Sequence, residues 1–106
     1  MSAGFAFDGR IYKVMPDINL ICEIESELGG IAQLLENFTD GSWRVSDLVT
    51  MTHMMLAAAG HDIDYRTLGN KMISEGLESY RHTACRFLGD IIMKHQEQRR
   101  QVQVVE

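Results

Sequence analysis

Residues 45–65 read VSDLVTMTHMMLAAAGHDIDY, an apolar stretch that stops at a glycine and leads into a short acidic loop. At about 100° per residue, one half of its helical wheel is apolar and the other half is mostly polar. Ser46 is placed to cap this helix, Gly60 to end it, and Asp64 to cap the next helix. The apolar half holds Leu48, Val49, Met51, Met55, Leu56 and Ala59, and the other half holds Asp47, Thr50, His53 and Met54.

The segment FAFDGRIYKV, residues 5–14, predicts a β-hairpin before the helices. Asp8-Gly9 stands between two alternating runs, which is the strongest short hairpin signal, and a two-residue turn places Phe5 opposite Tyr12. An isolated two-stranded hairpin is marginal in water, so its apolar face must pack on the helices. One strand edge then stays open to another chain, which makes a homo-oligomer an expected state. The apolar face consists of Phe5, Phe7, Tyr12 and Val14.

Four more helices are predicted from apolar residues at helical spacing. Asp17 follows Pro16 and caps the first of them, and Gly29-Gly30 end it. Arg81 projects near the centre of the last apolar stripe, so its side chain is expected to snorkel or to find a carboxylate. The stripes are Ile18, Ile21, Ile24 and Leu28; Ile31, Leu34, Leu35 and Phe38; Tyr65, Leu68 and Met72; and Leu77, Tyr80, Ala84, Phe87, Leu88 and Ile91.

These elements predict a mainly α fold with an N-terminal β-hairpin, an α+β class built as a small five-helix single domain. Residues 1–93 form the globular domain, with the hairpin at 3–14, and residues 94–106 form a polar C-terminal tail. Cys22 and Cys85 lie far apart without a C-x-x-C motif, so we expect free thiols in a reducing compartment. The sequence shows neither a signal peptide nor an apolar run of roughly 18 residues, which predicts a cytoplasmic protein that does not enter membranes.

The net charge of −5 is unevenly placed along the chain. Residues 17–43 contain six acidic side chains and no Lys or Arg, whereas the remainder has nine acidic and ten basic side chains. Nucleic-acid binders gain most of their affinity from Lys and Arg, so this distribution argues against DNA or RNA. It indicates either a solvated acidic helix face or a docking surface for a basic partner.

The motif His61-Asp62-x-Asp64 raises the question of a metal site. A metal needs several converging ligands, and the nearest other candidate, His53, lies two helical turns earlier. The pair is similar to the His-Asp couple of metal phosphohydrolases, but their further upstream histidine and downstream aspartate have no counterpart here. Each residue also has a structural explanation: His61 complements a helix C-terminus and Asp64 caps the next helix. The sequence therefore predicts no metal ligand.

No other catalytic or cofactor-binding group is predicted. Neither cysteine has the base and orienting group that nucleophilic catalysis needs, and no glycine loop could cradle a phosphate. Glu23 and Glu27 share one helix face, as acid/base pairs do, but with Glu25 nearby they are typical of a solvated face. Met54, beside Ala57 and Ala58, lies on the polar half of its helix, where exposed methionine suits adaptable partner binding. The predicted partner-binding residues are Glu23, Glu27, Met54, Ala57 and Ala58.

The order of the elements resembles the small tail-assembly proteins of gene transfer agents and related siphophages. The resemblance covers residues 5–93 and rests on FDGRIYKV, INLICEIESELGGIAQLL, VSDLVTMTHMMLAAAGHDI and GLESYRHTACRFLGDII. Its motifs are structural rather than catalytic. The matching landmarks are Leu20, Glu23, Leu28 and Gly29 in the first helix, Gly60-His61 at a helix end, and Gly76-Leu77 with Tyr80 in the last helix.

The resemblance implies a non-enzymatic tail assembly chaperone in the bacterial host cytoplasm. Such a protein binds the tape-measure protein, keeping that long helical chain soluble while tail tube protein subunits gather on it. Some descriptions call these proteins tail tube proteins, but tube subunits are expected to be strand-rich, which this chain is not. The alternatives are a generic α-helical protein-interaction domain and a metal-dependent hydrolase using His61-Asp62.

We expect the purified protein to be metal-free, because the loop at His61 offers too few ligands. Elemental analysis of protein prepared without a histidine tag measures this directly. Stoichiometric zinc, manganese or iron that disappears in His61→Ala would contradict the prediction.

Overall fold

The computed structural model describes the backbone of residues 3–105 and the side chains of residues 4–93. Within this range a two-stranded antiparallel hairpin precedes five helices, which confirms the predicted fold class. None of the described helices is both long enough and apolar enough to cross a membrane. The elements are β1 (Ala3–Phe7), β2 (Arg10–Val14), α1 (Ile18–Leu28), α2 (Ile31–Asp40), α3 (Val45–Ala58), α4 (Tyr65–Glu75) and α5 (Glu78–Val105).

The hairpin has the predicted register, with Phe5 opposite Tyr12 and Phe7 opposite Arg10. Asp8 and Gly9 both have positive φ, 52° and 77°, as the favoured two-residue hairpin turn requires. Phe5, Phe7 and Val14 are buried in the core, and Tyr12 is half-buried beside them. The inner face of the hairpin therefore packs on the helices, as its apolar pattern predicts.

The turns around α1 follow the predicted signals. Asp17 Oδ1 accepts a hydrogen bond from the Leu20 N–H at 2.9 Å, which caps α1. Gly29 has a φ of 96° and ends the helix. The Glu25 carboxylate then accepts from the Ile31 N–H at 3.0 Å, so an α1 side chain supports the start of α2.

The first apolar stripe is wrong at one position, because Ile18 is 68% exposed. Leu20 and Ile24 form the buried face of α1 instead. Ile24 lies six positions after Ile18, so their side chains point about 120° apart around a helix. The stripe of α2 is correct, with Ile31, Leu34 and Phe38 buried.

Helix α3 is the central element and packs against β2, α1, α4 and α5. It begins two residues earlier than predicted, at Val45, with Arg44 rather than Ser46 in the capping position. The Arg44 carbonyl accepts hydrogen bonds from the Asp47 and Leu48 N–H groups, and the Arg44 side chain lies 3.2 Å from the Asp47 carboxylate. The buried residues of α3 are Leu48, Val49, Met51, Thr52, Met55 and Leu56.

Gly60 ends α3 as predicted, with a φ of 86°. The His61 N–H donates to the Leu56 carbonyl at 2.9 Å, and the Gly60 N–H donates to the Ala57 carbonyl at 3.0 Å. These two bonds form the Schellman arrangement of a left-handed helix end. Asp64 then caps α4 as predicted, accepting from the Thr67 N–H at 3.1 Å.

Helix α5 covers the core with Ala84, Phe87 and Leu88. Arg81 finds a carboxylate, as predicted, in Glu78, and it also donates to the Phe38 carbonyl near the end of α2 at 3.0 Å. The backbone of α5 is helical to Val105. The side chains of the predicted tail, residues 94–106, lie outside the described residues, as do Met1 and Ser2 of the predicted domain.

We expect Gly60→Ala to lower the free energy of unfolding by about 1 kcal/mol or more, because an alanine at this φ is strained. Gly89→Ala is the matched control, since a Cβ there meets nothing within 4 Å inside α5. The control should raise stability by about 0.5 to 1 kcal/mol through helix propensity. Urea unfolding of both variants measures the difference, and equal midpoints would contradict the left-handed turn at Gly60.

Candidate functional surfaces

The loop after α3 holds the motif His61-Asp62-x-Asp64, and the side chains of His61 and Asp64 are engaged within the protein. His61 Nδ1 lies 3.1 Å from the Tyr12 hydroxyl, and the His61 ring packs on Tyr12 and edge-on to Phe7. Asp64 is occupied as a helix cap, and its hydrogen bond from the Thr67 N–H is the main cause of its lowered pKa. His61 therefore fastens the hairpin to the end of α3.

His53 does not join His61. Its Nε2 lies 2.9 Å from the Ile63 carbonyl, which can only accept, so Nε2 carries a proton and donates. The ring also packs edge-on against Tyr65. Across the described residues, no group of three or more His, Cys, Asp or Glu side chains is arranged to hold a metal ion. His53 therefore holds the backbone of the loop, and His61 holds the hairpin.

The predicted partner-binding residues lie on two helices that pack against each other, α1 and α3. Glu23 and Glu27 are exposed one turn apart on α1, and Ala57 and Ala58 are exposed at the end of α3. Met54 is half-buried and packs against the core, so its predicted exposure is only partial. We call these five residues the α1/α3 surface.

Sequence reasoning missed several exposed apolar side chains near the hairpin. Ile11 is 71% exposed on the outer face of β2, and Met15 and Ile18 follow within eight residues of the chain. The alternation of β2 could have shown Ile11, since it lies on the opposite face from Tyr12. Cys22 is an exposed free thiol on α1, and Cys85 is a half-buried free thiol on α5.

A cleft of about 290 Å³ was also missed by sequence reasoning. It opens between the hairpin and the first turns of α5, because residues from three separate parts of the chain meet there. No local pattern signals it, since only the packing of the hairpin creates it. Its lining residues are Phe5, Ala6, Phe7, Asp8, Gly9, Thr52, Met55, Glu75, Ser79, Tyr80 and Thr83.

A polar network stands at one end of this cleft. Lys71 Nζ lies 2.8 Å from the Glu75 carboxylate and 3.3 Å from the Asp8 carboxylate, and it sits 5.7 Å from the centre of the Phe7 ring. The Tyr80 hydroxyl donates to Glu75. The hydrogen bond from Lys71 and, to a smaller extent, the one from Tyr80 lower the pKa of Glu75. Burial and the hydrogen bond to Glu75 raise the pKa of Tyr80.

Comparison with known proteins places this chain in a family. The family model described as "Phage tail tube protein, GTA-gp10" matches residues 2–94. No curated protein and no solved structure matches the chain. The match covers the hairpin, helices α1 to α4 and the start of α5, and it confirms the resemblance to gene transfer agent and phage tail proteins. The chain therefore belongs to the GTA-gp10 family of phage tail proteins.

Proposed function

We propose that the protein is a tail assembly chaperone that binds the tape-measure protein, tail tube subunits or both in the bacterial host cytoplasm, and that it is not an enzyme. The observation that carries the proposal is the match to a phage tail family over residues 2–94 by a chain whose described part is mainly helical. The family description names a tail tube protein, so the choice between tube and chaperone depends on the fold.

The fold favours the chaperone. Tube subunits are expected to be strand-rich. The described residues contain a single sheet of two five-residue strands, and its inner face is already covered by the helices. Helical surfaces are the main feature that the described chain offers a partner, and they suit the docking of an amphipathic helix.

The α1/α3 surface is the proposed docking site. Ala57 and Ala58 are small and exposed, so a partner helix can approach α3 closely there. Met54 adds a flexible side chain at the edge of the same helix, which suits binding to several similar segments. Glu23 and Glu27 supply negative charge on the neighbouring α1, which favours basic partners and speeds their association.

Co-expression with a candidate tape-measure protein tests the proposal. We expect the wild type to increase the soluble fraction of that partner and to co-purify with it. Ala58→Glu should weaken the complex about tenfold or more, because the carboxylate would be buried without a partner in the interface. Ala32→Glu is the matched control, since Ala32 is exposed on α2 outside the α1/α3 surface.

Met54→Glu separates binding from folding. It should weaken the complex while circular dichroism still shows the helical fold, because Met54 is only half-buried. Unfolding of this variant would assign Met54 to the core and leave Ala58→Glu to decide the surface. Partner solubilisation that survives both changes would exclude the α1/α3 surface, and a partner that never becomes soluble would contradict the chaperone function itself.

The acidic part of the surface predicts a salt effect. The double variant Glu23→Lys and Glu27→Lys should slow association and reverse its salt dependence, since exposed charges attract over about 8 Å at physiological ionic strength. Asp62→Lys changes an exposed carboxylate in the α3–α4 loop and serves as the control. Stopped-flow association rates at several salt concentrations measure the effect, and rates indifferent to both salt and charge reversal would remove α1 from the interface.

A further inference from the structure

The cleft between the hairpin and α5 faces the edge of β1 that β2 does not use. In a two-residue hairpin, the paired residues nearest the turn exchange hydrogen bonds, and alternate residues point their backbone groups outward. Gly4 and Ala6 are therefore the outward positions of β1. Arg86 of α5 donates to the Gly4 carbonyl, which shows that α5 lies along this edge. Ala6 lines the cleft, so its outward carbonyl is an acceptor there.

The hydroxyl groups of the cleft also present acceptors. The Thr83 hydroxyl donates its proton to the Ser79 carbonyl at 3.1 Å, and the Tyr80 hydroxyl donates to Glu75. The protons of these two hydroxyl groups are thus committed inside the protein, and their oxygen lone pairs remain. These two oxygens, together with the carboxylates of Asp8 and Glu75 in the same lining, suit a ligand that brings hydrogen-bond donors.

Thr52 gives an independent indication of a ligand. It is the buried polar residue of the described core, with 5% exposure, and it lines the cleft from α3. The Thr52 hydroxyl makes no hydrogen bond to another described residue. Among the described residues, however, every fully buried polar side-chain atom has a hydrogen-bond partner. Both observations hold if the Thr52 oxygen opens into the cleft. A hydroxyl oxygen that opens into the cleft can accept a hydrogen bond from a bound donor.

The charge and shape of the cleft indicate which kind of hydrogen-bond donor it would bind. Asp8 and Glu75 supply two carboxylates, both paired with Lys71, while Phe5, Phe7 and Met55 form apolar walls. Lys71 already shows the mode of binding, since its ammonium group uses both carboxylates and the face of Phe7. A second basic side chain would find the same combination of apolar contact for its stem and acceptors for its head.

We propose that this cleft binds an arginine side chain presented by a segment of the partner protein. Arginine fits better than lysine because its planar group donates to several acceptors at once, here Ala6, Thr52 and Glu75. A volume of about 290 Å³ lies at the lower end of small-ligand sites, which suits one side chain rather than a cofactor. The inference rests on the proposed function only for the identity of the protein that carries the arginine.

The test uses n-butylguanidinium as the probe, titrated into the ¹⁵N-labelled full-length chain and followed by NMR. The probe has the stem and head of arginine, so we expect saturable shifts of the Ala6, Thr52 and Thr83 amides with a Kd on the order of millimolar, as for other very small ligands. The same titration with n-butanol, which has the stem alone, should leave these amides nearly unshifted.

Two variants locate the binding. Thr52→Val and Glu75→Gln should each raise the Kd about three- to tenfold, since each removes or weakens one acceptor. Glu36→Gln, which changes an exposed carboxylate on α2 outside both proposed sites, should leave it unchanged. Absence of saturable shifts, an equal response to n-butanol, or a Kd unchanged in the folded variants would overturn the proposal. If Thr52→Val does not fold, Glu75→Gln decides alone, and the co-expression assay stays independent of every one of these outcomes.

Discussion

The inner face of a two-stranded hairpin must be covered, and much of this structure follows from that constraint. Two short strands alone are marginal in water, so Phe5, Phe7 and Val14 need an apolar surface from elsewhere in the chain. Helix α3 provides it, since it contacts β2 and three other helices. The core is thus organised around α3, with the hairpin on one part of its surface and α1, α4 and α5 on the rest.

The end of α3 secures this arrangement. A left-handed residue at Gly60 reverses the chain so that His61 lies against Tyr12 and Phe7 of the hairpin. The hydrogen bond between His61 and Tyr12 then joins residues 49 positions apart. The pair of His61 with Asp62 looks like a metal motif in the sequence, but the histidine is used to hold the hairpin. The Gly60-His61 end of α3 therefore has a structural role, which is to hold the hairpin.

The features predicted correctly are those whose signals are local. Asp8-Gly9 set the turn and the register, Asp17 and Asp64 cap their helices, and Gly60 ends α3 through backbone geometry that few other residues adopt. The apolar stripes of α2 and α5 were predictable for the same reason, because one periodicity decides which face is buried. The family followed from the order of these local landmarks.

Most of the features that were missed depend on tertiary contacts, and the start of α3 is the local exception. Ser46 is a good capping residue, yet α3 starts at Val45 because Arg44 is extended there and pairs with Asp47. Ile18 shares the spacing of the first stripe but faces solvent, and the burial of Thr52 and part of Met54 comes from neighbours distant in sequence. The cleft is the extreme case, since the hairpin, α3 and α5 have no common sequence signal.

Thr52 and Ala57 lie about 140° apart around α3, so the cleft and the proposed docking surface use different sides of one helix. Under the proposed function, the protein would hold a helical segment of its partner by weak apolar contacts on one side of α3, and the proposed cleft would recognise a single basic residue on the other. Neither contact alone needs to be strong, because two linked weak contacts raise the overall affinity while each can still release the partner during assembly.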